Sequence, residues 1–342
     1  MTVNTIVGQK IRRTTLARRH PVSLMWTLGV IAVLLSVYSL SVGATTVPMS
    51  DVFRALTGNA DTDASRIVID FQLPRMLLCW FVGIALAVSG AALQGVIRNP
   101  LAAPDVIGVT KGAGFAGMLL LIAIPGAPAA LVAPVAFVGG VVAAILVYVF
   151  AYKRGATPAR IALVGIAVSA AFEAAIRFLL VRNPLDVNAS LIWLTGSLFG
   201  RSMSAVWEIL PWVAVLVPLL VMWSRKLDVL GLGDDLAAGL GEPVERTRRL
   251  IMITAVALAS VSVAVAGTVG FVGLIAPHMA RRVFGGRHLS SLPAAGLFGA
   301  LLMIVADMLG RGIAPPLEIP AGLVTAAIGG PYFLYLLVKT GK

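Results

Sequence analysis

One cysteine, three histidines and a charged fraction of only 12% mark this 342-residue sequence by what it lacks. Cys79 stands alone inside an apolar run, so no intrachain disulfide can form. His20, His278 and His288 are scattered, and no Cys/His set has the spacing of a metal site. Catalytic signatures are missing too: there is no H-E-x-x-H, no G-x-S-x-G and no G-x-x-x-x-G-K-[ST]. Their absence disfavours an intramembrane enzyme. It also means that any ATP used on this chain's behalf must bind another polypeptide. A soluble domain carries about 25% charged residues, about twice the share here, and no soluble domain of 50 residues fits anywhere between the apolar runs.

What fills the sequence is hydrocarbon. Hydrophobic residues make up 59%, and the mean hydropathy is +0.96. A helix needs roughly 20 apolar residues to cross about 30 Å of bilayer. Ten segments are read as spans: 21–43, 74–96, 106–124, 130–152, 158–181, 205–224, 249–268, 271–284, 291–311 and 319–338. The predicted fold class is an all-α polytopic membrane protein, one transmembrane domain over 1–342. The basic segment 1–20 is followed by a full-length span without a small-residue cleavage site, so it is kept as a cytoplasmic arm and not as a signal peptide. With that end inside, twenty of the 27 Lys and Arg residues fall on the cytoplasmic side. Such a bias places both termini in the cytoplasm. The net charge of +12 is then topology, and no nucleic-acid partner is expected.

Two spans look broken. "FVGLIAPHMARRVF" (271–284) is short, contains Pro277 and follows the glycine-rich "AGTVGFVG". "NPLAAPDVIGVTKGAGFAG" delays its helix with Pro100 and Pro104, then supplies Gly108, Gly112, Gly114 and Gly117 for close packing. Irregular backbone at membrane depth survives only inside protein or along a cavity. "AVSGAALQGVIRNP" (87–100) and "AVAGTVGFVGLIAP" (264–277) form a faint internal echo, within the reach of chance in so Gly/Ala-rich a chain.

Charges inside spans mark candidate function, because each costs several kcal/mol (about 2.5–3.5 on insertion scales) unless paired. Glu173 and Arg177 lie four apart on one helix face and can pair. They are either a structural pair or the lining of a polar route. Lys111 either snorkels to the cytoplasmic interface or meets an anionic solute. Asp307 and Arg311, again four apart, and Glu318 of "APPLEIPAG" read as ordinary interface charge at the outer end. His278 reads as a hydrogen-bonded structural residue. On the cytoplasmic side, "GDDLAAGLGEPVERTRR" (233–249) offers Leu236 and Leu240 one helical turn apart, acids at its start and glycines at its end. A second piece starts at Pro243. Such a helix–turn–helix either docks in a partner's groove or is a solvated loop.

At these residues the chain resembles a known family. "GDDLAAGLGEPVER", "LPRMLLCWFVGIALAVSGAALQGVIRNPLAAPDVIGVTKGAG", "AGTVGFVGLIAPHMARR" and "ADMLGRGIAPPLEIPAGLVTAAIGGPYFLYLL" occur in the order seen in FecCD-type ABC importer permeases. These import iron–siderophore complexes, haem or vitamin B12. Within the family, "PDVIGVTKGAG" with "LGLGDDLAAGLGEPVERTRRL" is similar to the ferric enterobactin permeases. The resemblance implies a ten-helix type II importer fold in the bacterial inner membrane. It also implies a homologous second permease, two ATPase subunits and a periplasmic or lipid-anchored binding protein. It implies no cofactor on this chain, with ATP and Mg on the ATPases and iron present only inside its chelate. Residues 227–248 would carry the coupling helices, with Asp234, Asp235, Leu236, Ala238, Leu240, Gly241 and Glu245 as contacts. Arg75 and Arg311 match the family's binding-protein contacts. Gln72 stands where the family's first docking arginine is usual, and Arg66 is a possible substitute. Lys111, Ser169, Glu173 and Arg177 would line the translocation route. The competing reading from another class is a secondary transporter with a proton site at Glu173 or Asp307.

Overall fold

A computed structural model describes residues 21–43, 46–58, 62–124, 127–152, 157–183, 193–315 and 317–340. The basic arm 1–20, Lys153, Arg154 and Lys342 lie outside the described residues. Every regular element described is helical: α1 Pro21–Ser39, α2 Met49–Leu56, α3 Asp63–Ile67, α4 Leu73–Ile97, α5 Val109–Ala123, α6 Ala129–Ala151 and α7 Pro158–Arg182. Then follow α8 Met203–Met222, α9 Ser224–Gly231, α10 Asp234–Gly239, α11 Val244–Ala266, α12 Val272–Phe284, α13 His288–Gly312 and α14 Ala321–Thr340. Among the described residues, seven helices are long and apolar enough to cross a bilayer; α5 and α14 contain shorter apolar stretches.

Helix α4 is the axis of the molecule. Leu78, Val82 and Leu93 on it meet Ile251 and Leu258 of α11 and Leu292 and Met303 of α13 in one continuous core. Lipid tails are as apolar as these side chains, so close van der Waals fit, more than hydrophobicity, must hold helices together in a membrane. Small residues provide that fit. A Cβ on Gly83 would sit 2.4 Å from the Gly299 carbonyl oxygen, and one on Gly90 only 1.9 Å from that of Gly273. The second crossing joins the two echoing segments. They do not behave alike, however: α4 stays helical through to Ile97, whereas the later segment breaks at Gly267. The sequence echo is therefore no repeat of local structure.

Both expected breaks are present. Residues 267–271 leave the helix, and Phe271 takes a left-handed φ of 68° before α12 starts. Residues 98–108 are irregular between two left-handed positions, Arg98 and Gly108, so α5 starts at Val109 instead of 106. Gly112 then packs on Gly139 and Ala143 of α6, and Gly117 lies under the Trp193 ring.

Two features differ from the sequence reading. The segment restarting at Pro243 is no separate short helix: α11 runs unbroken from Val244 into the span, because no breaker separates Glu245 from Leu250 and Thr247 and Arg248 are already buried. In addition, the connection before α4 is folded. Helices α2 and α3 and a single π-helical turn (Val68–Gln72) bury Val52, Ala55 and Val68 against Leu40 and Val47. The Thr62 hydroxyl caps α3 by accepting from the Ser65 N–H at 3.1 Å.

Candidate functional site

Three clusters of charge stand out, one at each end of the bundle and one along α7. At the end formed by the C-terminus of α4 and the start of α11, α10 is held as a short exposed rod. Gly233 (φ 109°) and Gly241 (φ 84°) frame it with backbone that L side chains rarely adopt. The Asp234 carboxylate accepts from Arg248 at 2.8 Å and pairs with Arg98 at 3.1 Å, the latter being the left-handed cap of α4. Arg248 also reaches Glu245 at 3.4 Å, and Glu245 accepts from the Tyr148 hydroxyl of α6 at 2.8 Å. Glu242 is fixed by Thr247 and Lys226, and Asp228 of α9 grips His288 of α13 at 2.6 Å.

The coupling residues expected from sequence thus divide into two groups. Asp234 and Glu245 face inward as clamps. Asp235, Leu236, Ala238, Leu240 and Gly241 are exposed, with Leu236 and Leu240 at 63% and 66%. Two leucines of that exposure, one on the braced helix and one at its C-cap, form an apolar surface left uncovered among the described residues. Arg98, Tyr148, Arg248 and the Asp228–His288 pair were missed in the sequence; the acid-rich loop facing "VIRNP" was the available signal.

Along α7 the expected Glu173–Arg177 pair forms at 3.1 Å. Lys111 does not snorkel: its ammonium crosses from α5 to the same carboxylate at 2.5 Å. Glu173 lies fifteen residues into α7, about 22 Å along the helix axis from Pro158. Two cations share one anion, leaving the triad net positive, and Arg177 is 75% exposed at its side chain. Ser169, one turn earlier, donates to the Asp105 carbonyl at 3.3 Å and ties α7 to the irregular 98–108 segment.

At the opposite end the structure differs from the sequence reading of exposed charge. Asp307 is buried and receives Arg75 at 2.7 Å on one oxygen and Arg311 at 3.0 Å on the other. Glu318 takes the far side of Arg75 at 2.6 Å, and Arg311 also donates to the carbonyls of Val42 and Ser39. Neither arginine presents its guanidinium outward in this conformation. Gln72 is buried as well, and its carbonyl oxygen Oε1 has no partner among the described residues. Of the four residues expected to dock a binding protein, only Arg66 is exposed. His278 sits edge-on to Tyr332, with ring centroids 6.1 Å apart. Among the described residues no His, Cys, Asp or Glu group could hold a metal.

Residues 31–339 match the FecCD transport family. The Fe(3+)-citrate import system permease protein YfmE of Bacillus subtilis is 46% identical over 96% of this chain and 98% of its own length. The Fe(3+) dicitrate transport system permease protein FecD of Escherichia coli is 44% identical over 80% of this chain and 85% of its own. The ferric enterobactin transport system permease protein FepG of Escherichia coli is 36% identical over 91% and 94%. A solved inward-facing structure of a metal-chelate type ABC transporter superposes with a TM-score of 0.82 at 30% identity, covering 93% of this chain and 99% of that one. The helix order, the two broken segments and the braced α10 all sit within the matched region, and this chain belongs to the FecCD transport family.

Proposed function

We propose that the chain is the membrane-spanning permease of an ATP-driven importer of ferric chelates in the bacterial inner membrane. It would span ten times with both termini inside, pair with a homologous permease, and stand on two ATPase subunits that bind ATP and Mg. Iron is cargo, already saturated by its chelator, and needs no ligand from this protein. The observation that carries the reading is α10: Leu236 and Leu240 point away from the chain while Asp234 and Glu245 lock the rod to α4, α6 and α11. A push on those leucines by an ATPase would pass directly into three helices.

The exposed triad supports an anionic cargo meeting Lys111 and Arg177 along α7. The iron–citrate systems named for the 46% and 44% relatives favour a polycarboxylate chelate. A catecholate such as ferric enterobactin is the second reading, favoured by the 36% relative. On the outer face a binding protein would meet Arg66 first and reach Arg75 only by displacing Glu318.

The paired change Leu236→Asp and Leu240→Asp tests the assignment. Co-purification of the ATPase should be lost while the permease remains in the membrane fraction. Full retention of the ATPase refutes the coupling role. Uptake of radiolabelled ferric citrate against ferric enterobactin in a deletion strain decides the cargo.

A further inference from the structure

A groove of about 450 Å³ runs between α6, α8 and α11 and meets the cluster around α10 only at Tyr148. Its floor is apolar, built from Ile145, Val149, Ile253 and Val256, and its deep end is closed by Phe137 and Trp212, whose rings lie 5.1 Å apart. Its other end is polar and carries Tyr148 and Arg249. Eleven residues separate Phe137 from Tyr148 on α6, so the groove is about 16 Å long. This is the shape of an extended alkyl chain with a head at one end.

The charge at that head is unspent. Glu245, the acid that meets Tyr148, is occupied by that hydroxyl and by Arg248. Arg249 is exposed and forms no ion pair among the described residues, and the neighbouring Arg246 is exposed as well. The polar end is also the end of the bundle holding Arg98, Arg248 and α10, where the Lys and Arg count places the cytoplasmic leaflet. Basic positions between spanning helices at that surface attract anionic headgroups.

We propose that this groove is a binding site for one anionic phospholipid of the cytoplasmic leaflet, with an acyl chain along α6 and α11 and its phosphate on Arg249. A zwitterionic lipid fits the same floor but offers Arg249 no net charge. The proposal needs only that the chain is membrane-inserted and holds whatever the cargo.

Trp212 reports occupancy. The assembled transporter is reconstituted with phosphatidylglycerol or phosphatidylcholine carrying dibrominated chains, at equal mole fraction, and tryptophan quenching is read against a Trp212→Phe complex. The brominated phosphatidylglycerol should quench the Trp212 component with about fivefold higher apparent affinity, the ratio given by ~1 kcal/mol per basic residue at the surface. Arg249→Gln should equalise the two lipids, and Arg249→Lys should keep the preference. If Arg249→Gln fails to assemble, raising ionic strength on the unmodified complex must erode the preference in its place. Equal quenching by both lipids overturns the site. So does a preference that survives Arg249→Gln or high salt. Absence of quenching means that protein covers the groove, which overturns it too.

Discussion

The cluster around Asp307 and the cluster around Glu173 use the same chemistry, a carboxylate shared by two cations, and differ in enclosure. Arg75, Asp307 and Arg311 have side-chain exposures of 10%, 1% and 5%, and the remaining donors of Arg311 go to backbone carbonyls. Lys111, Glu173 and Arg177 have 38%, 33% and 75%. The first cluster is closed on itself with Glu318 balancing its charge, two anions to two cations. The second has one cation too many and an open side. A closed, neutral cluster holds helices α4, α13 and the turn before α14 in register. An open, charged one has capacity left for something that is not part of the chain.

That contrast is broken most directly at Asp307. Asp307→Ala leaves two buried guanidiniums facing each other, and removing one partner of a buried pair costs about 3–5 kcal/mol. The purified protein should lose most of its thermal stability in detergent and accumulate poorly in membranes. Glu173→Gln, the matching change in the open cluster, should melt within a few degrees of the unmodified protein, since exposed pairs are worth about 0–1 kcal/mol. Equal losses from the two changes would erase the distinction between closed and open.

A smaller effect, but one specific to transport, is expected at Arg177. Arg177→Glu turns a net positive triad into a net negative one without disturbing packing, because the side chain is mostly exposed. Uptake of ferric citrate should fall roughly tenfold, equivalent to about 1.4 kcal/mol in the rate-limiting barrier, while melting and ATPase association stay unchanged. Unaltered uptake would return the triad to a structural role.

The same contrast explains what could be read from sequence. Composition and apolar run length located the helices, and a helix lies at each of the ten expected segments. The i,i+4 spacing gave Glu173–Arg177 and the geometric possibility of Asp307–Arg311, since both are local. Spacing could not say that Lys111 crosses to α7, or that Arg75 reaches 232 residues along the chain to Asp307. Enclosure depends on such long-range partners, so Asp307 read as surface charge, while Arg75 entered the docking set through the family resemblance alone. The folded pieces 46–58 and 62–72 were overlooked for a related reason. Their helices are too short and too polar for a search keyed to spans, although Val52, Ala55 and Val68 show the one-sided pattern of a packed surface. The exposed leucines of α10 were legible because a one-turn spacing and flanking glycines are local signals.

The smallest expected effect lies at Gln72, where sequence and structure assign different surroundings to one side chain. The family resemblance sets it where a docking arginine is usual. In the structure it ends the π-helical turn, buried, with its carbonyl oxygen unpartnered among the described residues. An unsatisfied buried acceptor costs about 1–3 kcal/mol, whereas an apolar replacement of similar shape is near neutral or stabilising. Gln72→Leu should therefore leave binding-protein affinity unchanged and hold or slightly raise the melting temperature, whereas Arg66→Glu, on the exposed face of α3, should weaken that affinity. If Gln72→Leu weakens docking instead, the amide must turn outward in the docked complex. The end of the bundle that holds Asp307 would then have to open before the binding protein could seat, and its enclosure would belong to one stage of transport and not to the fold.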